Sequence, residues 1–298
     1  MNPTKTLKKW KKNMNNSAVL RVLDWMKEIE IGSGDLTTEN VSLYPVHVQG
    51  ELVALESGIF SGKEVISALF SPAGERVKLR WNLNEGDLIH GQTVLCQIEG
   101  NGAEILKLER LVTWIVGRMS GIATATRSAV QFLEKVGKKL VPGASVSPIF
   151  EVIDRIALET GGCVSSKHGL ENAIYVTQNH VKYAGGLEKA LKHLQSEIGD
   201  IRKKIRFDVE VNTVDQFKEA QKLDCDAIHV VGFSSEAIRE LFEHTDIVKM
   251  PILHLNTILD FQPEFYDYFF RNCAIEALTG NINLIKNLLI IQYEGESK

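Results

Sequence analysis

Apolar residues recur at three- and four-residue steps through Ile105, Leu108, Val112, Ile115 and Met119, which predicts one helix with a single buried stripe. Arg110 falls among these bulky neighbours instead of in a solvated charge run, so it needs a partner. Ser120-Gly121 interrupts the period. The Ala/Thr-rich run Ile122 to Arg127 then reads as a new element that opens on exposed N–H groups, a seat for an anion; a plain C-cap is the competing reading of that junction. Upstream, Val19, Leu20, Val22, Leu23, Trp25 and Met26 mark a helix over Asn16 to Glu30, broken by the turn-forming run Gly32 to Thr38. From Val46 to Gly100 the signals are short and strand-like, with turns at Asn84 to Asp87 and His90-Gly91 and a short helix at Lys63 to Leu69.

After Thr124 helices and short strands alternate, the pattern of a parallel sheet or barrel. The predicted strands are Lys139 to Val141, Ala173 to Val176, Ile205 to Val211, Ala227 to Val231 and Ile247 to Met250; helices are predicted at Glu151 to Glu159, Leu187 to Ile198, Val214 to Lys222 and Ser235 to Glu243. In Ile205 to Val211 the apolar residues share one face and Arg206, Asp208 and Glu210 the other. A parallel sheet covered on both faces rejects charge on one of them, whereas a barrel accepts it at the mouth. An exposed edge strand is the alternative. The same pattern leaves Asp208 and Glu210 either to bind a metal together or to make a salt bridge with a residue such as Arg206, and Gly161-Gly162 to cap the preceding helix.

Composition adds limits. The chain has 298 residues, long enough for two domains, and a formal net charge of -4, which advertises neither nucleic-acid nor membrane binding. The cysteines Cys96, Cys163, Cys225 and Cys273 stand far apart without metal-ligand spacing, and no apolar run is long enough to span a bilayer. Lys5, Lys8, Lys9, Lys11 and Lys12 are not followed by the apolar core of a leader. The expectation is a soluble cytoplasmic protein with reduced thiols.

The segments IGSGDLTTENV, ERLVTWIVGRMSGIATAT, TGGCVSSKHGL, AIYVTQNHV and IRFDVEVN, in that order, resemble the quinolinate phosphoribosyltransferases, the carboxylating nicotinate-nucleotide pyrophosphorylases, and their ModD-type relatives. The resemblance covers most of the chain, is specific in the first two segments and thins towards the C-terminus. It implies an α/β fold: an N-terminal α/β sandwich over residues 1–118 and an incomplete parallel α/β barrel over 119–298, with the C-terminal segment packing back on the N-terminal domain. It also implies a homodimer whose site borrows residues from the neighbour. The implied reaction moves phosphoribosyl from phosphoribosyl pyrophosphate (PRPP) to the ring nitrogen of quinolinate, a pyridine carboxylate, releasing pyrophosphate and carbon dioxide with help from Mg2+.

By that resemblance Arg110 matches an arginine that crosses the dimer to a substrate carboxylate, and Glu210 matches the catalytic carboxylate facing the ribose. His180 and the Ser120-Gly121 pair match further substrate-binding positions; Lys167, beside His168, keeps one positive charge of a basic stretch. No protein-held metal cluster is implied. Other positions depart from the pattern: cations are replaced at Ala144, Ser145, Glu151 and Thr177, and a carboxylate is lost at Val231. Lys182 and Lys249 are the other candidate cations. A dicarboxylate and a polyphosphorylated sugar need many paired donors, so the expectation is weak activity on the family's substrates. The alternatives are a scaffold-sharing enzyme with a less anionic substrate and a catalytically inactive paralogue that binds a metabolite or partner.

Overall fold

The computed structural model describes residues 17–41, 46–135, 137, 139–142, 149–164, 170, 173–199, 205–244, 247–249, 251–255, 274–277 and 287–293. The chain divides into two compact units: Met1–Arg127 with Val146–Gly162 and Asn281–Lys298, and Ser128–Ser145 with Cys163–Gly280. The first unit includes two later stretches of chain.

In the first unit, helix α1 (Ser17–Ile31) buries Val19, Leu23 and Met26, the residues its periodicity selects. Helix α2 (Leu36–Val41) follows after a turn. The sequence reading gave this stretch to the turn; the local chemistry instead starts a helix at Asp35. Its carboxylate accepts the N–H groups of Thr37 and Thr38 at 3.1 and 3.0 Å, while Glu39 reaches back to the Asp35 N–H at 3.3 Å, a reciprocal cap. Strands β1 (His47–Ala54), β3 (Val77–Trp81) and β5 (Thr93–Asn101) form an antiparallel sheet in the order β12-β1-β5-β3. Strand β12 (Asn287–Tyr293), invisible in the sequence pattern, joins β1 over the pairs Val48↔Tyr293 to Ala54↔Asn287. Strands β2 (Gly58–Ile59) and β4 (Leu88–Ile89) pair separately, and helix α3 (Lys63–Phe70) lies between them in sequence.

A short helix, α4 (Gly102–Leu106), leads into α5 (Glu109–Glu134), whose stripe Ile105, Leu108, Val112, Ile115 and Met119 is buried as its spacing demands. The expected turn at Ser120-Gly121 is not there: the helix runs straight through. Tertiary contact supplies the reason. The Ser61 N–H donates to Ser120 Oγ at 3.1 Å and Ser120 Oγ donates to the Ser61 carbonyl at 3.2 Å; one turn on, Thr124 Oγ1 accepts the Ile59 N–H at 2.8 Å. The small, hydroxyl-bearing residues are thus the contact face for an extended segment, not a helix end. Helix α6 (Glu151–Gly161) ends on Gly162 with φ 104°, a left-handed cap. Gly161 faces α5 so closely that a Cβ would lie 2.4 Å from Thr126 Cβ.

The second unit is a six-stranded parallel sheet in the order β6-β11-β10-β9-β8-β7, made of β6 (Lys139–Pro142), β7 (Ala173–Val176), β8 (Arg206–Val211), β9 (Ala227–Val230), β10 (Pro251–Leu255) and β11 (Ala274–Ala277). Among the described residues its end strands β6 and β7 do not pair with each other, as in an incomplete barrel. Helices α7 (Gln178–Ala184), α8 (Leu187–Ile198), α9 (Val214–Gln221) and α10 (Ser235–His244) connect the strands. The strand predicted at Ile247 to Met250 starts instead at Pro251, whose missing N–H is tolerated at a strand's first residue. The residues before it are occupied in a loop, where Gln221 Oε1 accepts the N–H groups of Val248 and Lys249.

Candidate active site

Strand β8 sits between β7 and β9, so it is not an edge. Phe207, Val209 and Val211 are fully buried on one face, on the side of α9 and its buried Phe217. Arg206, Asp208 and Glu210 occupy the other. In parallel pairing, partners in register share a face, and Glu210 pairs with His229 on β9, which pairs with Ile252 on β10. Asp208, fully buried, accepts from Arg206 Nε at 2.9 and 2.7 Å. Its Oδ2 also lies 3.0 Å from His229 Nε2, and His229 Nδ1 lies 2.8 Å from His254 Nε2. Tyr175 on β7 meets the edge of the His229 ring at 4.7 Å. This column of polar groups crosses four strands on the face that carries Glu210.

Glu210 stands near the C-terminal end of β8, the end at which α/β barrels place their ligands. Its residue is half-buried, and no other described side chain bonds its carboxylate. The backbone beneath it is pinned by two amides. Gln178 Nε2 donates to the Glu210 carbonyl at 2.7 Å and to Gln216 Oε1 at 3.0 Å, while Gln216 Oε1 accepts the Asn212 N–H at 3.1 Å. Helices α7 and α9 therefore begin tied to the strand end that presents Glu210.

The other residues singled out from sequence fall elsewhere. His180 is exposed and completes a capping box: its Nδ1 accepts the Thr177 N–H at 3.1 Å. Lys182 is exposed on the same helix. Lys249, counted as a cation near the mouth, instead donates to the carbonyls of Ala220, Gln221 and Leu223 at the end of α9. Glu151 is neutralised by Arg155 at 2.7 and 2.5 Å. Ser120 is buried with its hydroxyl engaged by Ser61, and Gly121 is buried beside it inside the helix. Lys167 and His168, like Ala144 and Ser145, lie outside the described residues.

Arg110 belongs to the first unit. Its side chain is 86% exposed and its Nε lies 3.1 Å from Glu30 Oε1, so its partner comes from α1 and not from the apolar stripe. The pair rims an open cavity of about 530 Å³ lined by Trp25, Ile29, Leu111, Trp114 and Phe150.

Two arrangements escaped the sequence reading. One is the buried pair of Arg118 and Asp154, described below; the other is His229 with His254. A signal for the histidines did exist, since each interrupts an apolar strand run, Ala227-Ile228-His229-Val230 and Ile252-Leu253-His254-Leu255. A polar ring inside such a run must find a partner, but only the register says that the two rings find each other.

An incomplete parallel barrel with a carboxylate near the C-terminal strand ends, following a unit built on an antiparallel sheet, defines an α/β class of barrel protein, a class that places its ligands at those strand ends. The comparisons narrow the class. Residues 35–120 match the model of the quinolinate phosphoribosyl transferase N-terminal domain, and residues 122–255 match that of its C-terminal domain. The chain is 28% identical over 232 residues to a protein of Bacillus subtilis (strain 168) called "Probable nicotinate-nucleotide pyrophosphorylase", carboxylating, covering 78% of this chain and 79% of that one. It is 31% identical over 198 residues to the protein of the same name from Archaeoglobus fulgidus, covering 66% and 74%. In fold it is similar to the crystal structure of NadC from Streptococcus pyogenes, with a TM-score of 0.79 at 20% identity over 91% of this chain and 95% of that one. The nicotinate-nucleotide pyrophosphorylase from Francisella tularensis gives 0.79 at 20% identity, over 93% and 97%. The chain belongs to the quinolinate phosphoribosyltransferase family.

Magnesium is the ion that the family implies. Among the described residues no group of three or more His, Cys, Asp or Glu side chains could hold a metal ion. Both Asp208 oxygens are engaged by Arg206, and Oδ2 also by His229. Among the described residues on this face, Glu210 is the carboxylate that fits a magnesium carried mainly by a substrate's phosphates, the mode in which this ion takes one or two protein carboxylates.

Proposed function

We propose that the chain is a phosphoribosyltransferase of the quinolinate type, joining PRPP to a pyridine carboxylate with release of pyrophosphate and carbon dioxide, and that its turnover of quinolinate is slow. The observation that carries the reading is Glu210, presented at the end of β8 with its backbone held by Gln178 and its carboxylate available. A carboxylate there stabilises the positive charge that develops on the ribosyl carbon as pyrophosphate leaves. Magnesium on the departing phosphates would supply the Lewis acidity. Among the described residues, the cations expected to hold the leaving group are engaged elsewhere. Lys249 is committed to backbone carbonyls and His180 to a helix cap, and the family's cations at Ala144, Ser145, Glu151 and Thr177 are missing.

Losing one partner of a buried charged contact costs about 2–5 kcal/mol, and such losses overlap, so two of them imply about three decades in kcat/KM. The test is pyrophosphate release from PRPP plus quinolinate with magnesium. A wild-type kcat near the enzyme median of about 10 s⁻¹ would refute slow turnover. No release at all, alongside release with a less anionic acceptor, would replace quinolinate as the substrate; no release with any acceptor would leave a binding protein.

The working unit proposed is a cytoplasmic homodimer. Among the described residues no helix is long and apolar enough to cross a membrane, and the described cysteines are buried thiols. Trp25 and Ile29 remain 41% and 63% exposed beside the cavity that Arg110 rims, an apolar face that a second copy would cover. Interfaces of this obligate kind bury more than about 2,000 Å² in total. A monomer by light scattering at micromolar concentration would overturn the dimer.

A further inference from the structure

Pairing between β7 and β8 ends at Val176↔Val209, because the chain leaves β7 at Thr177, the residue that caps α7. Strand β8 runs on to Val211. Successive carbonyls of a strand point to opposite sides, and the Val211 carbonyl accepts the Val231 N–H at 2.9 Å just past the end of β9. The Glu210 carbonyl and the Asn212 N–H therefore face the side that β7 has left. In a parallel ladder one partner residue would serve both groups, donating to the carbonyl and accepting from the N–H two residues on. Here two side-chain amides serve them. Gln178 Nε2 donates to the Glu210 carbonyl at 2.7 Å, and Gln216 Oε1 accepts the Asn212 N–H at 3.1 Å. The amides also bond each other in both directions, Gln178 Nε2 to Gln216 Oε1 at 3.0 Å and Gln216 Nε2 to Gln178 Oε1 at 3.2 Å. Neither can turn over, since a carbonyl demands the nitrogen of Gln178 and an N–H demands the oxygen of Gln216. Both side chains leave from anchored first turns. Gln178 opens α7, whose Val181 is buried, and the Gln216 N–H donates to the cap Thr213 at 3.2 Å with Phe217 buried beside it.

We propose that Gln178 and Gln216 are positioning residues for Glu210 and act as one unit. Their paired amides replace one residue of the missing strand, so the end of β8 stays fixed where β7 turns away. The inference rests on the phosphoribosyltransferase reading, in which the Glu210 carboxylate faces the ribosyl carbon. The residue type fits the task. A lysine in either place would compete for the Glu210 carboxylate, and an ionised carboxylate would have no N–H for the Glu210 carbonyl. A neutral amide holds the backbone and leaves the carboxylate for the substrate.

Gln178→Met and Gln216→Met keep the length of each side chain and remove its amide. Pyrophosphate release from PRPP with magnesium, and with quinolinate or the acceptor that wild type uses, is measured at steady state. In either variant kcat should fall by about tenfold to hundredfold while KM for PRPP stays within about threefold, the split expected when a transition-state contact is misplaced and ground-state binding is kept. The double variant should lose no more than about threefold beyond either single one, because the amides work as a pair. Hydrogen exchange without ligand is the second readout. The Asn212 N–H should exchange at least about tenfold faster in Gln178→Met, although that variant leaves its own acceptor in place. Gln195→Met removes a similar bond elsewhere in the unit, to the Asp224 carbonyl at 3.3 Å, and should leave kcat unchanged. An equal loss of kcat in Gln195→Met would assign the effect to general loosening and overturn the inference. Unchanged kcat in the Gln178 and Gln216 variants, a raised KM with kcat kept, or unchanged exchange at Asn212 would also overturn it and leave the phosphoribosyltransferase reading standing. No release by wild type with any acceptor would overturn both. Should Gln178→Met fail to fold, Gln178→Asn, one methylene shorter and out of reach of the Glu210 carbonyl, tests the same split.

Discussion

Replacing Arg118 by Met should cost the first unit a large part of its stability. Arg118 Nε and Nη2 donate to Asp154 Oδ1 and Oδ2 at 2.8 and 2.7 Å, and the Asp154 side chain is 1% exposed. The guanidinium also lies 5.7 Å from the Trp114 ring centre and 5.4 Å from that of Phe150. Removing the cation leaves a buried carboxylate without its partner, at about 3–5 kcal/mol. The two ring contacts contribute about 0.5–1 kcal/mol each, overlapping with that loss because all four side chains meet at one place. An expected total of about 4 kcal/mol compares with a typical domain stability of about 5–15 kcal/mol. Asp154→Leu in the same chain removes the stranded charge, so the double variant should recover most of the loss, because apolar replacement of a buried pair is often close to neutral. Urea unfolding followed by tryptophan fluorescence reads the cycle, with Trp114 as a reporter at the pair. A single-variant cost below about 1 kcal/mol, the value of a solvent-exposed pair, would refute the reasoning. Because Trp114 and Phe150 also line the cavity beside Arg110, the single variant should weaken any self-association through that face.

Ser120→Ala should destabilise by about 1–3 kcal/mol, since the buried Ser61 N–H loses its acceptor; a cost near zero in urea unfolding would mean that the segment shifts to find another. Glu85 accepts the Gly62 N–H at 2.9 Å from a half-buried position, and desolvation there pushes its carboxyl above the usual carboxylate range. The folded state therefore holds its proton to higher pH than the unfolded chain does, so this group's contribution falls as pH rises from the ordinary carboxylate value through the raised one and is constant above it. Glu85→Gln should remove that decline, and stability curves of variant and wild type that stay parallel across this range would contradict the assignment. Burial also pushes the Cys96 thiol up to about 12 and the Cys225 thiol up to about 11, so both should resist alkylation at pH 8 until the protein unfolds; prompt labelling of either in the native state would show that it is open to solvent.

What the sequence determined by itself is whatever depends on near neighbours along the chain. The three- and four-residue spacing placed the buried stripe of α5, the alternation of Arg206 to Val211 placed charge and core on opposite faces of β8, and Gly162 marked the end of α6. The family, too, was legible, because its motifs are short and local. The tertiary structure decided every question of which distant group satisfies a polar atom. Ser120-Gly121 reads as a helix end until the Ser61 backbone is seen to complete its hydrogen bonds, and Arg110 has no evident partner until Glu30 arrives from another helix. His229 and His254 meet only through the register of β9 and β10. Strand β12 shows its place only when β1 pairs with it. Periodicity reports the environment of a side chain averaged over a turn or two, whereas a hydrogen-bond partner is one atom at about 3 Å. Only the folding of the whole chain brings that atom there.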